Sequence, residues 1–152
     1  MKRVILAGMG RLAYMLGWPA FWVYFLLGHG RTRVIVQRGD EILMVKQWVG
    51  DGRWQLPGGG MHKGELPVAA AARELHEETG IVAPQDQLIP LGQSRQKSHA
   101  TSFVIHVFKT QWHETTLRLQ RIEIIEAAWM RPAQLNAHNT KQDVLAALQM
   151  LQ

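Results

Sequence analysis

The feature that most constrains the fold is a run of three glycines followed by a strongly marked helix. The glycines occupy positions 58–60, Pro67 suits a first helical position, and the alanines at 69–72 favour a helix. Gly80 stands where a helix C-terminus adopts the left-handed conformation. The pattern predicts a glycine loop that leads directly into a helix ending near residue 79.

The predicted helix has an apolar side and an acidic side. At about 3.6 residues per turn, Glu74, Glu77 and Glu78 fall together, away from the apolar residues. An exposed acidic face costs little, whereas the same carboxylates in a cleft repel one another unless a cation lies between them. The glycine run favours the cleft, because its backbone can approach a ligand closely. Carboxylate and carbonyl oxygens are hard donors, so the pattern predicts Mg²⁺ or Mn²⁺. The apolar side consists of Val68, Ala71, Ala72 and Leu75.

Composition and charge restrict the class of protein. A chain of 152 residues forms a single domain with a proper core, and the absence of cysteine excludes disulfides and thiol chemistry. The net charge is +5, yet positions 65–78 alone hold four of the twelve acids. A basic body around an acidic cluster suits a small anionic substrate that meets a metal cation. The basic residues form no run, which argues against specific nucleic-acid binding, and the lack of cysteine fits a cytoplasmic protein.

The rest of the chain is mainly β-prone. Residues 33–37 and 42–46 are short apolar runs joined by a Gly-Asp turn, and they predict a β-hairpin. A short strand is predicted at 54–56, and further strands at 101–109 and 123–130. Thr140 and Asp143 form a sequence pattern typical of a capping box, which would open a final helix at 142–151.

The glycine loop and helix together match a known family motif. Gly59, Glu65 and the run RELHEETGI at 73–81 fit the Nudix box, G-x5-E-x7-R-E-U-x-E-E-x-G-U with U aliphatic, at every fixed position. The lead-in WQLPGG at 54–59 is also similar to the family. The resemblance implies an α/β fold, an α/β/α sandwich around a mixed β-sheet, over residues 31–152. It leaves an extra apolar segment at 1–30 unexplained.

The resemblance also implies an activity and roles for residues of the box. The expected reaction is hydrolysis of a nucleoside diphosphate linked to another moiety, with a non-catalytic nucleotide-sensing module as the alternative. Glu74 and Glu78 would be the principal metal ligands, while Glu77 would serve a second metal or a bridging water. The carbonyl of Gly59 would complete the ligand set. Arg73 and Glu65 would hold the loop and helix together without touching the substrate.

The general base and the substrate contacts are less clearly marked. Glu74 is the first candidate for the base, and Glu123 is favoured over Glu126 among the acids outside the box. Arg53 and Trp54, with Gly58, are candidates for gripping a phosphate and stacking a base, although tryptophans beside a turn also serve to close a core. His62, Asn136 and Asn139 are more typical of exposed loops and turns. The sequence does not identify the substrate.

The opening segment is unusually apolar. Residues 12–28 carry no charge, but they are short for a membrane span and contain Gly17 and Pro19. They also lack the polar face of an ordinary surface helix. Two interpretations remain open: a segment packed on the domain or in a homodimer interface, and a membrane-surface anchor with aromatic residues near the headgroups.

Overall fold

The computed structural model describes residues 30–98, 101–114, 116–120 and 122–151. Within them, five strands and two helices alternate with short 3₁₀ turns at Gln85–Gln87 and Pro132–Gln134. The strands are β1 (Arg31–Arg38), β2 (Glu41–Gln47), β3 (Ile89–Ser98), β4 (Thr101–Gln111) and β5 (Ile124–Met130), and the helices are α1 (Pro67–Thr79) and α2 (Gln142–Gln149).

The strands form one mixed sheet with the order β3-β4-β1-β2-β5. The central strand β1 runs parallel to β4 and antiparallel to β2, with which it forms the predicted hairpin. The β2 strand is also antiparallel to β5, and the register of this pair shifts between Lys46 and Gln47. This order brings the end of β2 beside the start of β5, although the two lie far apart in sequence.

One helix covers each face of the sheet. Val34, Val36 and Leu43 pack with Ala71 and Leu75 of α1 in one buried cluster. On the opposite face, a second buried cluster contains residues of the sheet and of α2, namely Ile35, Ile42, Met44, Val144 and Ala147. Two helical layers around a mixed sheet are the expected α/β/α sandwich.

The α1 helix begins and ends where the sequence predicts. Pro67 is at its start, and Gly80 adopts a φ of 76° while its N–H donates to the carbonyl of His76. Ala71 and Leu75 are fully buried, as the apolar pattern predicts. Glu78 is also buried, so the acidic side does not simply face solvent.

The final helix begins at Gln142 as predicted, but it ends at Gln149 rather than at residue 151, and its cap differs from the prediction. The residue before it is Lys141, which makes no side-chain cap, so the capping box is wrong. The Thr140 hydroxyl donates to Asn139 instead, and the Asp143 carboxylate accepts from Arg33. Asp143 therefore forms an ion pair with the buried Arg33 of β1 instead of contributing to a cap of the helix.

Three smaller expectations are also corrected by the structure. Residues 54–56 form only isolated bridges, from Trp54 to Thr140 and from Gln55 to Val45, rather than a strand of the sheet. Strand β5 begins at Ile124, one residue later than expected, and β3 was not predicted. The β3 segment contains Pro90 and Gly92, which weaken its strand signal.

The expectations for the apolar opening segment lie outside the described residues, since the description begins at Gly30. Among the helices that are described, none is long and apolar enough to cross a membrane.

Candidate active site

Four carboxylates from two parts of the chain lie in the same region, near the end of β2. Glu74, Glu77 and Glu78 project from α1, and Glu123 directly precedes β5. Gln47, the last residue of β2, connects Glu78 with Glu123. Its Nε2 donates to Oε1 of Glu78 at 3.2 Å and to Oε1 of Glu123 at 3.3 Å. The backbone N–H of Trp48 donates to the carbonyl of Glu123 at 2.8 Å. The β2–β5 pairing thus brings Glu123 to the acids of the helix.

Glu78 is the most enclosed of these acids, with only 1% of its surface exposed. The N–H of Gly58 donates to its Oε2 at 2.8 Å. The pKa of Glu78 is raised to about 7, mainly by burial and in smaller part by repulsion from Glu123 and Glu74, while the Gly58 N–H and Arg33 oppose the increase. The pKa of Glu123 is raised by desolvation first and then by repulsion from Glu74 and Glu77. A bound cation would reduce the repulsion among these carboxylates.

Arg73 holds the glycine loop against the helix. Its Nε and Nη2 donate to the two oxygens of Glu65, each at 2.9 Å, and Nη2 also donates to the carbonyl of Gly60 at 2.9 Å. Its Nη1 donates to Glu74 at 2.8 Å and to Glu77 at 3.2 Å. These hydrogen bonds lower the pKa of Glu65 to about 2, with Arg73 as the main cause. The pairing of Arg73 with neighbouring glutamates is as the sequence analysis expected.

The glycines allow close packing at this site. At Gly58, whose φ is 131°, a Cβ would lie 2.9 Å from the carbonyl carbon of Thr32. At Gly59, a Cβ would lie 2.6 Å from Cδ of Glu74. The Gly59 carbonyl accepts the N–H of Thr32 at 2.9 Å, so one of its lone pairs is already engaged. A side chain at either position would displace its neighbours.

The donor set fits a hard divalent cation. All its candidate ligands are oxygens, from Glu74, Glu77, Glu78 and Glu123, and two of these acids have raised pKa values. Among the residues that the structure describes, no three acidic or histidine side chains already converge on one point. One nitrogen of Arg73, Nη1, donates to both Glu74 and Glu77.

The candidate substrate residues outside the glycine loop are placed differently. Arg53 pairs with Asp51 through Nε and Oδ2 at 2.7 Å. Trp54 packs against the core cluster next to α2, with the Lys46 ammonium 4.2 Å from its ring centroid. Neither side chain contacts the carboxylates, whereas Gly58 binds Glu78 directly. Trp54 thus has the core-closing position that the sequence analysis kept as an alternative.

The other polar candidates have local partners. Glu126 pairs with Lys46 at 2.9 Å, so Glu123 is the acid before β5 that joins the cluster. His62 is exposed in the glycine loop, and its backbone N–H donates to Glu65. Asn136 and Asn139 hydrogen-bond within their own turn.

The sequence analysis missed several polar residues of this region. Gln47 gave no signal, because a glutamine at a strand end is ordinary. Arg31 and Arg33 did carry a signal, since alternate positions on an otherwise apolar strand point to the same face. Arg33 is buried and donates to the carbonyl of Gly58 and to Asp143. Lys141 gave no signal of its own, because it lies between the two residues of the predicted capping box, Thr140 and Asp143.

Comparisons with known proteins identify the family and agree with the fold. A family model described as the NUDIX domain matches residues 28–149. The chain belongs to this family. The structure is similar to the MutT NUDIX hydrolase from Burkholderia pseudomallei, with a TM-score of 0.72, 21% identity, and coverage of 82% of this chain and 98% of that one. At this identity, the likeness supports the fold alone.

Curated relatives match over shorter stretches. An RNA pyrophosphohydrolase from Xylella fastidiosa is 43% identical over 56 residues, which cover 37% of this chain and 29% of that protein. The human diphosphoinositol polyphosphate phosphohydrolase 2 is 34% identical over 65 residues, or 43% of this chain and 36% of that one. The chain therefore spans about a third of the length of these relatives.

Proposed function

We propose that this chain is a Mg²⁺- or Mn²⁺-dependent pyrophosphohydrolase that cleaves a nucleoside diphosphate linked to another moiety. The observation that carries the proposal is the buried carboxylate of Glu78, held by Gln47 beside Glu123 and by the N–H of Gly58. Family membership and the names of the relatives, which act on pyrophosphate-containing molecules, support the same reaction.

Each box residue has a role in this proposal. Glu74 and Glu78 would hold the cation together with the carbonyl of Gly59, and Glu77 would contribute through a second cation or a bridging water. When bound, the cation screens the pyrophosphate, polarises a phosphoryl oxygen and lowers the pKa of the attacking water. Arg73 fixes the orientation of Glu74 through its hydrogen bond at 2.8 Å. The chain mainly positions these groups and neutralises charge.

Two carboxylates are candidates for the general base. Glu74 is oriented by Arg73, as a base in a fixed geometry requires. Glu123 has a raised pKa, which makes it a stronger base than an ordinary glutamate, and its side-chain hydrogen bond is to the neutral Gln47. The pH dependence of kcat/KM for Glu123→Gln distinguishes the two candidates. If the variant loses the decrease in rate at acidic pH, the base is Glu123; if this decrease is unchanged, the base is Glu74.

Glutamine substitutions test the proposed metal ligands. Glu78→Gln and Glu74→Gln should each lower kcat/KM at least about a hundredfold, because each removes a negative charge from the cation site. The matched control is Glu126→Gln, since Glu126 pairs with Lys46 outside the cluster and should retain activity. Circular dichroism would verify that the fold persists.

A substrate screen with Mg²⁺ would measure the nucleoside monophosphate and the second phosphorylated product released from nucleoside triphosphates, ADP-ribose, nucleotide sugars, CDP-alcohols and dinucleoside polyphosphates. Near wild-type turnover by either ligand variant would contradict the assigned roles. Nucleotide binding without turnover of any of these compounds would instead support the non-catalytic sensing module.

A further inference from the structure

Next to the carboxylates, the structure gathers basic side chains that the proposed chemistry does not use. Arg31 and Arg33 share one face at the start of β1, and Lys141 lies just before α2. The backbone N–H of Lys141 donates to the carbonyl of Trp54 at 3.0 Å, which fixes this residue beside the lead-in to the glycine loop. The pKa of Lys141 is lowered by burial first and by Arg33 second, so the two cations lie within electrostatic reach.

This basic group adjoins the acidic cluster through one glycine. The N–H of Gly58 donates to Glu78, and the carbonyl of the same residue accepts from Arg33. Burial and Arg33 lower the pKa of Arg31, whereas Glu74 and Glu78 raise it. Arg31 therefore lies close enough to both glutamates to interact with their charges. The basic group and the proposed cation site are therefore neighbours that are linked through the buried backbone of Gly58.

Lys141 is the member of the group whose charge is not balanced by a contact. Arg33 forms an ion pair with Asp143 at 3.0 Å. The Lys141 ammonium instead donates to the side-chain oxygen of Gln55, a neutral amide, at 2.7 Å.

Asp51 and Asp143 offset part of the positive charge around Lys141. Each of them already pairs with an arginine, however, Asp51 with Arg53 and Asp143 with Arg33. The half-buried ammonium therefore still lies in a locally basic group. A bound anion would lower the electrostatic energy of this group, just as a bound cation would at the glutamates.

We propose that Lys141, with Arg31, binds an anionic group of the substrate that is separate from the scissile pyrophosphate. The chain would then prefer molecules with at least three phosphoryl groups over nucleoside diphosphates joined to an uncharged group. This inference rests on the proposed function, and it narrows the substrate class. Arg33 is a positioning residue here, because its guanidinium is engaged by Asp143 and Gly58.

A comparison of two substrates tests the preference. Lys141→Met should raise KM about tenfold for ATP, which carries an additional phosphoryl group, because it removes one charge-assisted hydrogen bond. The same variant should change KM less than about twofold for ADP-ribose, whose terminal group is uncharged. Lys141→Arg should restore the KM for ATP, since it keeps the charge.

The matched control is Arg131→Met, which removes the same net charge elsewhere. Arg131 follows β5, pairs with Asp40 of the β1–β2 turn at 2.8 Å, and is 66% exposed, so its loss should affect neither substrate. Equal effects of Lys141→Met on both substrates, or no effect on either, would overturn the inference. An effect of Arg131→Met as large as that of Lys141→Met would also overturn it, by showing general electrostatic steering.

A binding measurement separates this inference from the proposed function. In EDTA, inorganic tripolyphosphate should bind the wild-type chain and should bind Lys141→Met about tenfold more weakly by calorimetry. Thermal unfolding would verify that the variant is folded. If no substrate is turned over but this difference holds, the hydrolase proposal fails and the anion site stands. If turnover occurs and tripolyphosphate binding does not depend on Lys141, the anion site fails alone.

Discussion

At the scale of single residues, Glu78 shows how the environment changes the chemistry of a side chain. A glutamate in the last turn of a helix is ordinarily solvated and ionised. Here it is buried, and its pKa is raised to about 7 from an ordinary value of 4.5. Gln47 and Gly58 donate to its two oxygens. A neutral amide and a backbone N–H therefore satisfy its hydrogen bonds without neutralising its charge.

This burial predicts a pH dependence of the free energy of unfolding in the absence of metal. Because the pKa of Glu78 is higher in the folded chain, the folded state binds the proton more tightly, and stability falls as pH rises from 4.5 to about 7. The loss is roughly 3 kcal/mol at most. Urea denaturation in EDTA at pH 5 and pH 8 should show that Glu78→Gln gains stability relative to the wild type at the higher pH.

Excess Mg²⁺ is the control for this prediction. If the cation binds the folded wild type at Glu78, the difference between the wild type and Glu78→Gln at pH 8 should shrink or reverse. A wild type whose stability relative to Glu78→Gln rises between pH 5 and pH 8 in EDTA would contradict the raised pKa.

At the scale of elements, Arg73 joins the glycine loop to α1. Its guanidinium binds both oxygens of Glu65 and the carbonyl of Gly60, while it also reaches Glu74 and Glu77 on its own helix. The planar arrangement of donors in arginine matches this set, whereas a lysine ammonium does not. The loop and the helix therefore act as one unit.

Replacing this arginine should loosen the loop while the helix remains. Arg73→Lys should cost roughly 1–3 kcal/mol in the free energy of unfolding, because it removes charge-assisted hydrogen bonds and retains the positive charge. Hydrogen exchange should increase at 60–65 and change little within α1. The control is Arg131→Lys, which alters an exposed ion pair and should have no measurable effect. Unchanged exchange in the loop would contradict this role of Arg73.

At the scale of the whole molecule, one buried ion pair connects the central strand to the final helix. Arg33 on β1 and Asp143 on α2 are separated by 110 residues, and their side chains are 5% and 12% exposed. The pair crosses from the sheet to the layer that covers it. Removing one partner leaves a buried charge, which costs far more than losing an exposed pair.

The expected cost of Asp143→Ala is about 3–5 kcal/mol in urea denaturation. Glu41→Ala breaks the more exposed Arg38–Glu41 pair and should cost less than about 1 kcal/mol. Combining Arg33→Met with Asp143→Leu should recover most of the loss, because neither charge then remains buried. A cost for Asp143→Ala equal to that of Glu41→Ala would show that the buried pair does not stabilise the molecule.

The sequence by itself determined the features that depend on near neighbours. The bounds of α1 follow from Pro67 and Gly80, and the β1–β2 hairpin follows from two β-prone runs and a turn. The spacing of the Nudix box was sufficient to identify the family. The resemblance to the family also implied that Arg73 and Glu65 hold the loop and the helix together, and their side chains pair in the structure.

Only the tertiary structure decided how distant residues combine. Gln47 reaches Glu123 across 76 residues because β2 pairs with β5, and Lys141 reaches Gln55 across 86 because the last loop runs beside the glycine lead-in. Asp143 pairs with Arg33 instead of capping the helix. A carboxylate stabilises a buried guanidinium more than it stabilises helix N–H groups that are exposed to water. Such contacts depend on strand order and burial, which the periodicity of a single segment does not encode.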